Sequence, residues 1–186
     1  MRIIAGKARG RRLFAPKGQD TRPTPDRVRE SLFSILGERV VGAAVLDLFA
    51  GTGALGLEAL SRGASQVTFV ERARTVLPTL QRNIDAVGLP GTEVVLAAAN
   101  RALQRLGASG RRFDLLFLDP PYALQLLGPT LEALIASDVL LPHTIVVCEH
   151  SGRDIAPKAP PALVLQETRA FGDVALSFFK GVGENA

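Results

Sequence analysis

The chain has 186 residues, 47% of them hydrophobic and 22% charged, and carries a net charge of +4, a balance that suits one folded, water-soluble domain and excludes a disordered chain. No apolar segment reaches the roughly 18 to 20 residues of a membrane span, and "MRIIAGKARG" lacks the long apolar stretch of a secretory signal, so a cytoplasmic protein is expected. A single cysteine, Cys148 within "TIVVCEH", reads as a buried structural thiol, and His143 and His150 are too few for a typical zinc cluster, so neither a disulfide nor a metal is expected.

Taken in chain order, the first feature is charge. Residues 1–29 hold nine Lys or Arg against two Asp, an asymmetry that suggests a polyanion partner, because each phosphate neutralised releases condensed counterions. The opening "RIIAGKARGRRLFAP" has apolar stretches around Ile3 and Leu13 across a Gly- and Arg-rich turn, and reads as a basic β-hairpin or arm, residues 1–24. A helix should follow: Thr24 can cap it, Pro25 suits its first position, and Val28, Leu32, Ile35 and Leu36 share a face. Arg22, Arg27 and Arg29 then sit near its N-terminal end.

Beyond that helix, β-rich runs at "AVLDLF", "QVTFVE", "EVVLA", "FDLLFLD" and "TIVVCE" alternate with helical segments. The alternation indicates a mostly parallel sheet with helices on both faces. Leu55, Ala59 and Leu60 precede Gly63, and Val76, Leu80, Ile84 and Val87 precede Gly88, each glycine suited to a left-handed cap. Pro78 should kink or delay the second of these helices. The runs "ALVLQETRA" and "DVALSFFKG" close a seven-stranded sheet as an antiparallel hairpin. Residues 25–186 thus form a single α/β domain.

In "VLDLFAGTGALGLEAL" a strand runs into Gly51, Gly53 and Gly56 and a helix follows at once. Glycines there allow a tight turn and close approach of a ligand, and amides at the helix start can bind a polar or anionic group. Glu71 ends the next strand, about twenty residues on, where its carboxylate can accept hydrogen bonds from both ribose hydroxyls. Together these point to an adenosine-containing cofactor, either a nicotinamide dinucleotide or a methyl donor. Asp47 favours the methyl donor: a buried carboxylate is costly unless paired, and S-adenosylmethionine brings an ammonium and a sulfonium where a dinucleotide brings a pyrophosphate.

The other discontinuity is "FLDPPY". A core strand stops at Asp119 and is followed by two prolines and Tyr122. By strand count it lies next to the first strand, so Asp119 and the glycine loop should face one crevice at the switch point of the sheet.

With these motifs the chain resembles the Rossmann-like class I S-adenosylmethionine-dependent methyltransferases that modify exocyclic amines. "MRIIAGKARGRRL", "DTRPTPDRVRESLFSIL" and "FGDVALSFF" extend the resemblance over nearly the full chain to the bacterial 16S ribosomal RNA guanine-N2 methyltransferase family (RsmD-like). The resemblance implies that S-adenosyl-L-methionine is the cofactor and that Asp47, Gly51 and Gly53 form its methionine-side pocket, with Glu71 on the ribose. It implies that Asp119, Pro120 and Tyr122 hold the target amine, the first two as acceptors of its N–H groups and the last as a platform for the base. The implied partner is ribosomal RNA or a small ribosomal particle, with Arg2, Lys7, Arg9, Arg11, Arg12, Arg22 and Arg27 meeting phosphates. One position departs from the pattern. Where such enzymes often carry an adenine-contacting Asp or Asn, this chain has Ala97, Ala98 and Ala99, with Asn100 slightly late. A DNA adenine or cytosine amino-methyltransferase would share the turn, but little chain remains for a sequence-reading domain. A nicotinamide oxidoreductase leaves Asp47, Asp119 and the arm unexplained, and a non-catalytic RNA-binding module fits the arm alone.

Overall fold

Short β-rich runs, each too brief to bury itself, are brought together as one sheet by the helices between them. The computed structural model describes residues 1–15, 25–121 and 126–182. Its strands are β1 (Ala44–Asp47), β2 (Gln66–Glu71), β3 (Thr92–Leu96), β4 (Phe113–Leu118), β5 (Leu140–Ser151), β6 (Leu163–Phe171) and β7 (Val174–Gly181). Its helices are α1 (Asp26–Leu36), α2 (Ala54–Ser61), α3 (Leu77–Val87), α4 (Ala99–Ala108) and α5 (Leu127–Ala136). The strands are ordered β3-β2-β1-β4-β5-β7-β6. β1 is parallel to β2 and β4, and β4 to β5, whereas β7 runs antiparallel to both β5 and β6. The closing hairpin therefore inserts its second strand beside β5 and leaves β6 at the edge.

Alternation along the strands sends Val45, Val67, Leu115 and Val147 to the face covered by α1, α2 and α3. Leu46, Val70, Leu116 and Val146 go to the face covered by α4 and α5. α1 buries Val28, Leu32 and Leu36 as its periodicity predicts, and also Phe33, whose ring meets that of Phe117 edge-on at 5.7 Å between centroids. Pro25 stands just before α1, its carbonyl accepting the N–H groups of Val28 and Arg29 at 2.9 and 3.1 Å; Thr24 lies outside the described residues. Pro78 falls in the first turn of α3, where a missing N–H leaves no helical hydrogen bond unmade, so it delays the helix and does not kink it. Gly88 closes α3 in the left-handed conformation, at φ +66°.

Residues 1–13 of the basic N-terminal segment form a hairpin. Arg2 and Arg12 form an antiparallel bridge, and the N–H groups of Ile3 and Leu13 donate to the carbonyls of Arg11 and Met1 at 2.9 and 3.1 Å. Ile3, Ala8 and Leu13 are buried in the same core as α1, α2 and α3.

Candidate active site at the carboxyl edge of the sheet

The glycine loop leaves β1 and enters α2 with Gly53 as its first cap, at φ +80°, a backbone conformation that side chains rarely adopt. Gly56 has a different reason to lack a side chain. A Cβ there would lie 2.4 Å from the Phe69 ring and 2.7 Å from Val67, so only glycine lets α2 sit this close to β2.

Two carboxylates fix the loop. Glu71, at the end of β2, accepts the N–H of Gly51 at 3.0 Å on one oxygen and that of Ala73 at 2.7 Å on the other. Asp47, 2% exposed at the end of β1, accepts the N–H of Gly56 at 3.0 Å. Burial pushes the Asp47 carboxyl up to about 7; the Gly56 hydrogen bond opposes this and the neighbouring Glu71 charge adds to it. Asp47 is thereby tied to α2 and Glu71 to the glycine loop, with the two carboxylates close enough to influence each other and Gly53 at the start of α2.

β4 runs beside β1, with Asp47 opposite Phe117 and the Leu48 N–H donating to the Phe117 carbonyl at 3.0 Å. Asp119 is therefore only two residues beyond the partner of Asp47, at the same edge of the sheet. Its side chain is partly buried, and Pro120 is buried. Tyr122 lies outside the described residues. Glu149, 5% exposed and one residue beyond the last β4–β5 pair, Leu118 with Cys148, adds a second carboxylate at this edge. After β3, Ala97 donates its N–H to the Glu71 carbonyl at 3.0 Å, while Asn100 is exposed in the first turn of α4.

On the hairpin, Arg2, Lys7, Arg9, Arg11 and Arg12 are exposed, as is Arg27 on α1; Arg22 lies outside the described residues. Arg29 behaves otherwise. It is fully buried, and its Nη2 donates to the Arg2 carbonyl at 2.6 Å and to Asp26 at 3.1 Å; desolvation lowers its pKa.

Three buried polar residues escape a reading of sequence alone. Glu58 accepts the N–H groups of Ile4 and Ala5 at 2.7 and 3.0 Å and the Nε–H of Arg62 at 2.7 Å. Ser61 accepts the Ala8 N–H at 2.9 Å. Asn83 accepts the Phe14 N–H at 2.7 Å and donates to the carbonyls of Phe14 and Thr52 at 3.0 and 2.8 Å. A polar residue on an otherwise apolar helix face was the only signal: Glu58 in "ALGLEALS", and Asn83 beside Leu80, Ile84 and Val87.

Cys148 is buried, which pushes its thiol pKa up. Among the described residues no group of three or more His, Cys, Asp or Glu side chains could hold a metal ion, and no helix is long and apolar enough to cross a membrane.

The strand order and the glycine loop at the β1 carboxyl end define a Rossmann-like class I methyltransferase fold. The solved structure of yhhF from Escherichia coli matches with a TM-score of 0.88 at 34% identity, covering 99% of both chains. A hypothetical protein from Thermus thermophilus matches with a TM-score of 0.83 at 35% identity, covering 96% of this chain and 98% of its own. Within that class, the chain belongs to the family described as conserved hypothetical protein 95, which matches residues 1–180. A relative in Escherichia coli K12 named ribosomal RNA small subunit methyltransferase D is 36% identical over 180 residues, covering 97% of this chain and 89% of the relative.

Proposed function

We propose that the protein transfers a methyl group from S-adenosylmethionine to the exocyclic N2 amine of a guanine in small-subunit (16S) ribosomal RNA. The observation that carries this reading is the pairing of β1 with β4, which brings Asp119 and Pro120 to the edge of the sheet that holds the glycine loop. The similarity to a relative named for methylating small-subunit ribosomal RNA supports the choice of substrate.

The residues present suit the cofactor. Asp47 is buried and, among the described residues, accepts one backbone N–H, so a cationic methionine end would meet an undercompensated carboxylate. Glu71 uses one lone pair of one oxygen on Gly51 of the loop and one lone pair of the other on Ala73, and keeps the rest for ribose hydroxyls. Gly51 and Gly53 let the backbone approach the ligand. Bound there, S-adenosylmethionine would supply an electrophilic methyl carbon on a sulfonium.

The chain's own task is to make a poor nucleophile attack. A guanine N2 lone pair is delocalised into the ring. The Asp119 carboxylate and the Pro120 carbonyl each accept one N–H of the amine, which draws the nitrogen towards tetrahedral geometry and localises its lone pair. Proline suits the position because it stiffens the backbone and brings no competing donor. Tyr122 stacks on the extruded base, worth about 1–3 kcal/mol. The proton shed by the methylated nitrogen passes to Asp119 or to water, which needs no strong base. The hairpin arginines and Lys7, with Arg22 and Arg27, hold the RNA by its phosphates.

The test is labelled methyl transfer to ribosomal RNA, small ribosomal particles and DNA in parallel, followed by nucleoside identification. Label in N2-methylguanosine from the RNA or the particle is expected; label in a DNA base overturns the reading. Asp119→Ala should bind S-adenosylmethionine normally and lose transfer by at least about 100-fold, and near-normal turnover would remove Asp119 from the mechanism.

A further inference from the structure

Asn83 is fully buried, on the face of α3 that packs against both the glycine loop and the hairpin. Its Nδ2 donates to the carbonyl of Thr52, the residue between Gly51 and Gly53. The same side chain takes both backbone groups of Phe14, accepting its N–H at 2.7 Å and donating to its carbonyl at 3.0 Å. Its neighbours act on the same two places. The Arg82 guanidinium lies 3.4 Å from the centroid of the Phe14 ring, and Leu80 packs so closely on Gly53 that an added Cβ would come within 2.6 Å of it. One amide therefore joins the middle of the loop to the outgoing end of the hairpin.

We propose that Asn83 is a positioning residue that sets the glycine loop and the basic hairpin together, so that filling the loop orders the hairpin and engaging the hairpin tightens the loop. The inference rests on the loop binding S-adenosylmethionine and the hairpin meeting RNA. Physically, a ligand against Gly51 and Gly53 narrows the range open to the Thr52 carbonyl between them. That restrains the Asn83 amide, and with it both polar groups of the Phe14 backbone. Whichever ligand binds first bears the cost of ordering the shared residue, and the second binds to a chain already ordered. Thermodynamic linkage makes the effect reciprocal.

Amide hydrogen exchange on the full chain, with and without S-adenosylhomocysteine, tests this. In the wild type the ligand should slow exchange at Gly51 and Gly53 and also at Phe14, the last by at least about fivefold. Asn83→Asp keeps an acceptor for the Phe14 N–H but can donate to neither the Thr52 nor the Phe14 carbonyl. It should lose the response at Phe14 to ligand, while the loop amides still respond. Binding of ribosomal RNA provides the second readout: the ligand should raise wild-type affinity by at least about fivefold and leave that of Asn83→Ala within about twofold. No response at the loop amides would overturn the cofactor reading and this inference with it. A loop that responds while wild-type Phe14 does not, or a Phe14 response equally strong in Asn83→Asp, overturns the inference alone.

Discussion

Asp47 and Glu58 are both buried carboxylates that hold backbone amides, eleven positions apart on either side of the glycine loop, and they are treated in opposite ways. Glu58, within α2, accepts two hairpin N–H groups and the Arg62 guanidinium at 2.7 Å, so its charge is answered inside the protein. Asp47, at the carboxyl end of β1, accepts one N–H among the described residues and has the negative Glu71 for a neighbour, and its carboxyl is pushed up to about 7. A charge that serves the fold is matched where it lies. A charge left short of partners among the described residues at a sheet edge is one that a cationic ligand can complete, whereas the Glu58 charge is already matched inside the fold.

The largest effect should come from titrating that contrast. The folded chain holds the Asp47 proton to about 7, while the unfolded chain releases it near 3.8. The stability this group contributes is therefore complete below about pH 3.8 and is lost as the pH rises through about 7. Asp47→Asn keeps an acceptor for the Gly56 N–H and does not ionise. At pH 8 it should be more stable than the wild type by on the order of 4 kcal/mol, with little difference at pH 4, as read by denaturant titration. The same variant should bind S-adenosylmethionine more weakly at pH 8, and the wild-type affinity should rise between pH 5 and 7 where the variant's stays flat. Equal stability of the two proteins across this range would break the contrast.

Glu58 should answer in the other direction. Glu58→Ala leaves the Ile4 and Ala5 N–H groups and the Arg62 Nε–H without their acceptor, a loss of about 3 kcal/mol at pH 7. Glu58→Gln retains one acceptor oxygen and should lose less. If removing Glu58 stabilised the chain as removing the Asp47 charge does, then both acids would be uncompensated by their surroundings and the distinction between them would fail.

What could be read in advance follows the range over which each interaction acts. The β1 and β4 runs, "AVLDLF" and "FDLLFLD", announce themselves by local composition, and Glu71 by its spacing from the glycine loop; Pro78 delays α3 because a proline's effect is felt within one turn. Glu58, Ser61 and Asn83 were hidden because their partners are distant in the chain, 54 residues from Ile4 to Glu58 and 69 from Phe14 to Asn83. Helical periodicity can say that Asn83 faces inward but cannot say what it meets. The last pair of strands shows the same limit. Adjacency predicts that β6 and β7 pair, yet which one joins β5 depends on burial, and the polar "QETR" of β6 against the apolar "VALSFF" of β7 is the clue to the order observed.

The smallest effect on the fold should come from the hairpin's own charges, and it separates the segment's place in the core from its proposed contact with RNA. The backbone of residues 4–14 is held by Glu58, Ser61 and Asn83, whereas the side chains of Lys7, Arg9, Arg11 and Arg12 are exposed. Replacing Arg9, Arg11 and Arg12 by Gln should therefore change stability by no more than about 0.5 kcal/mol per site and leave S-adenosylmethionine binding intact. Affinity for ribosomal RNA should fall, and the slope of log affinity against log salt should flatten by roughly 0.7 to 0.9 for each phosphate contact removed. Because the anchoring amides do not carry those charges, a loss of binding without a loss of stability would assign the charges to the RNA and the backbone to the core. An unchanged slope would leave the hairpin as a structural clasp whose arginines serve only the solvent.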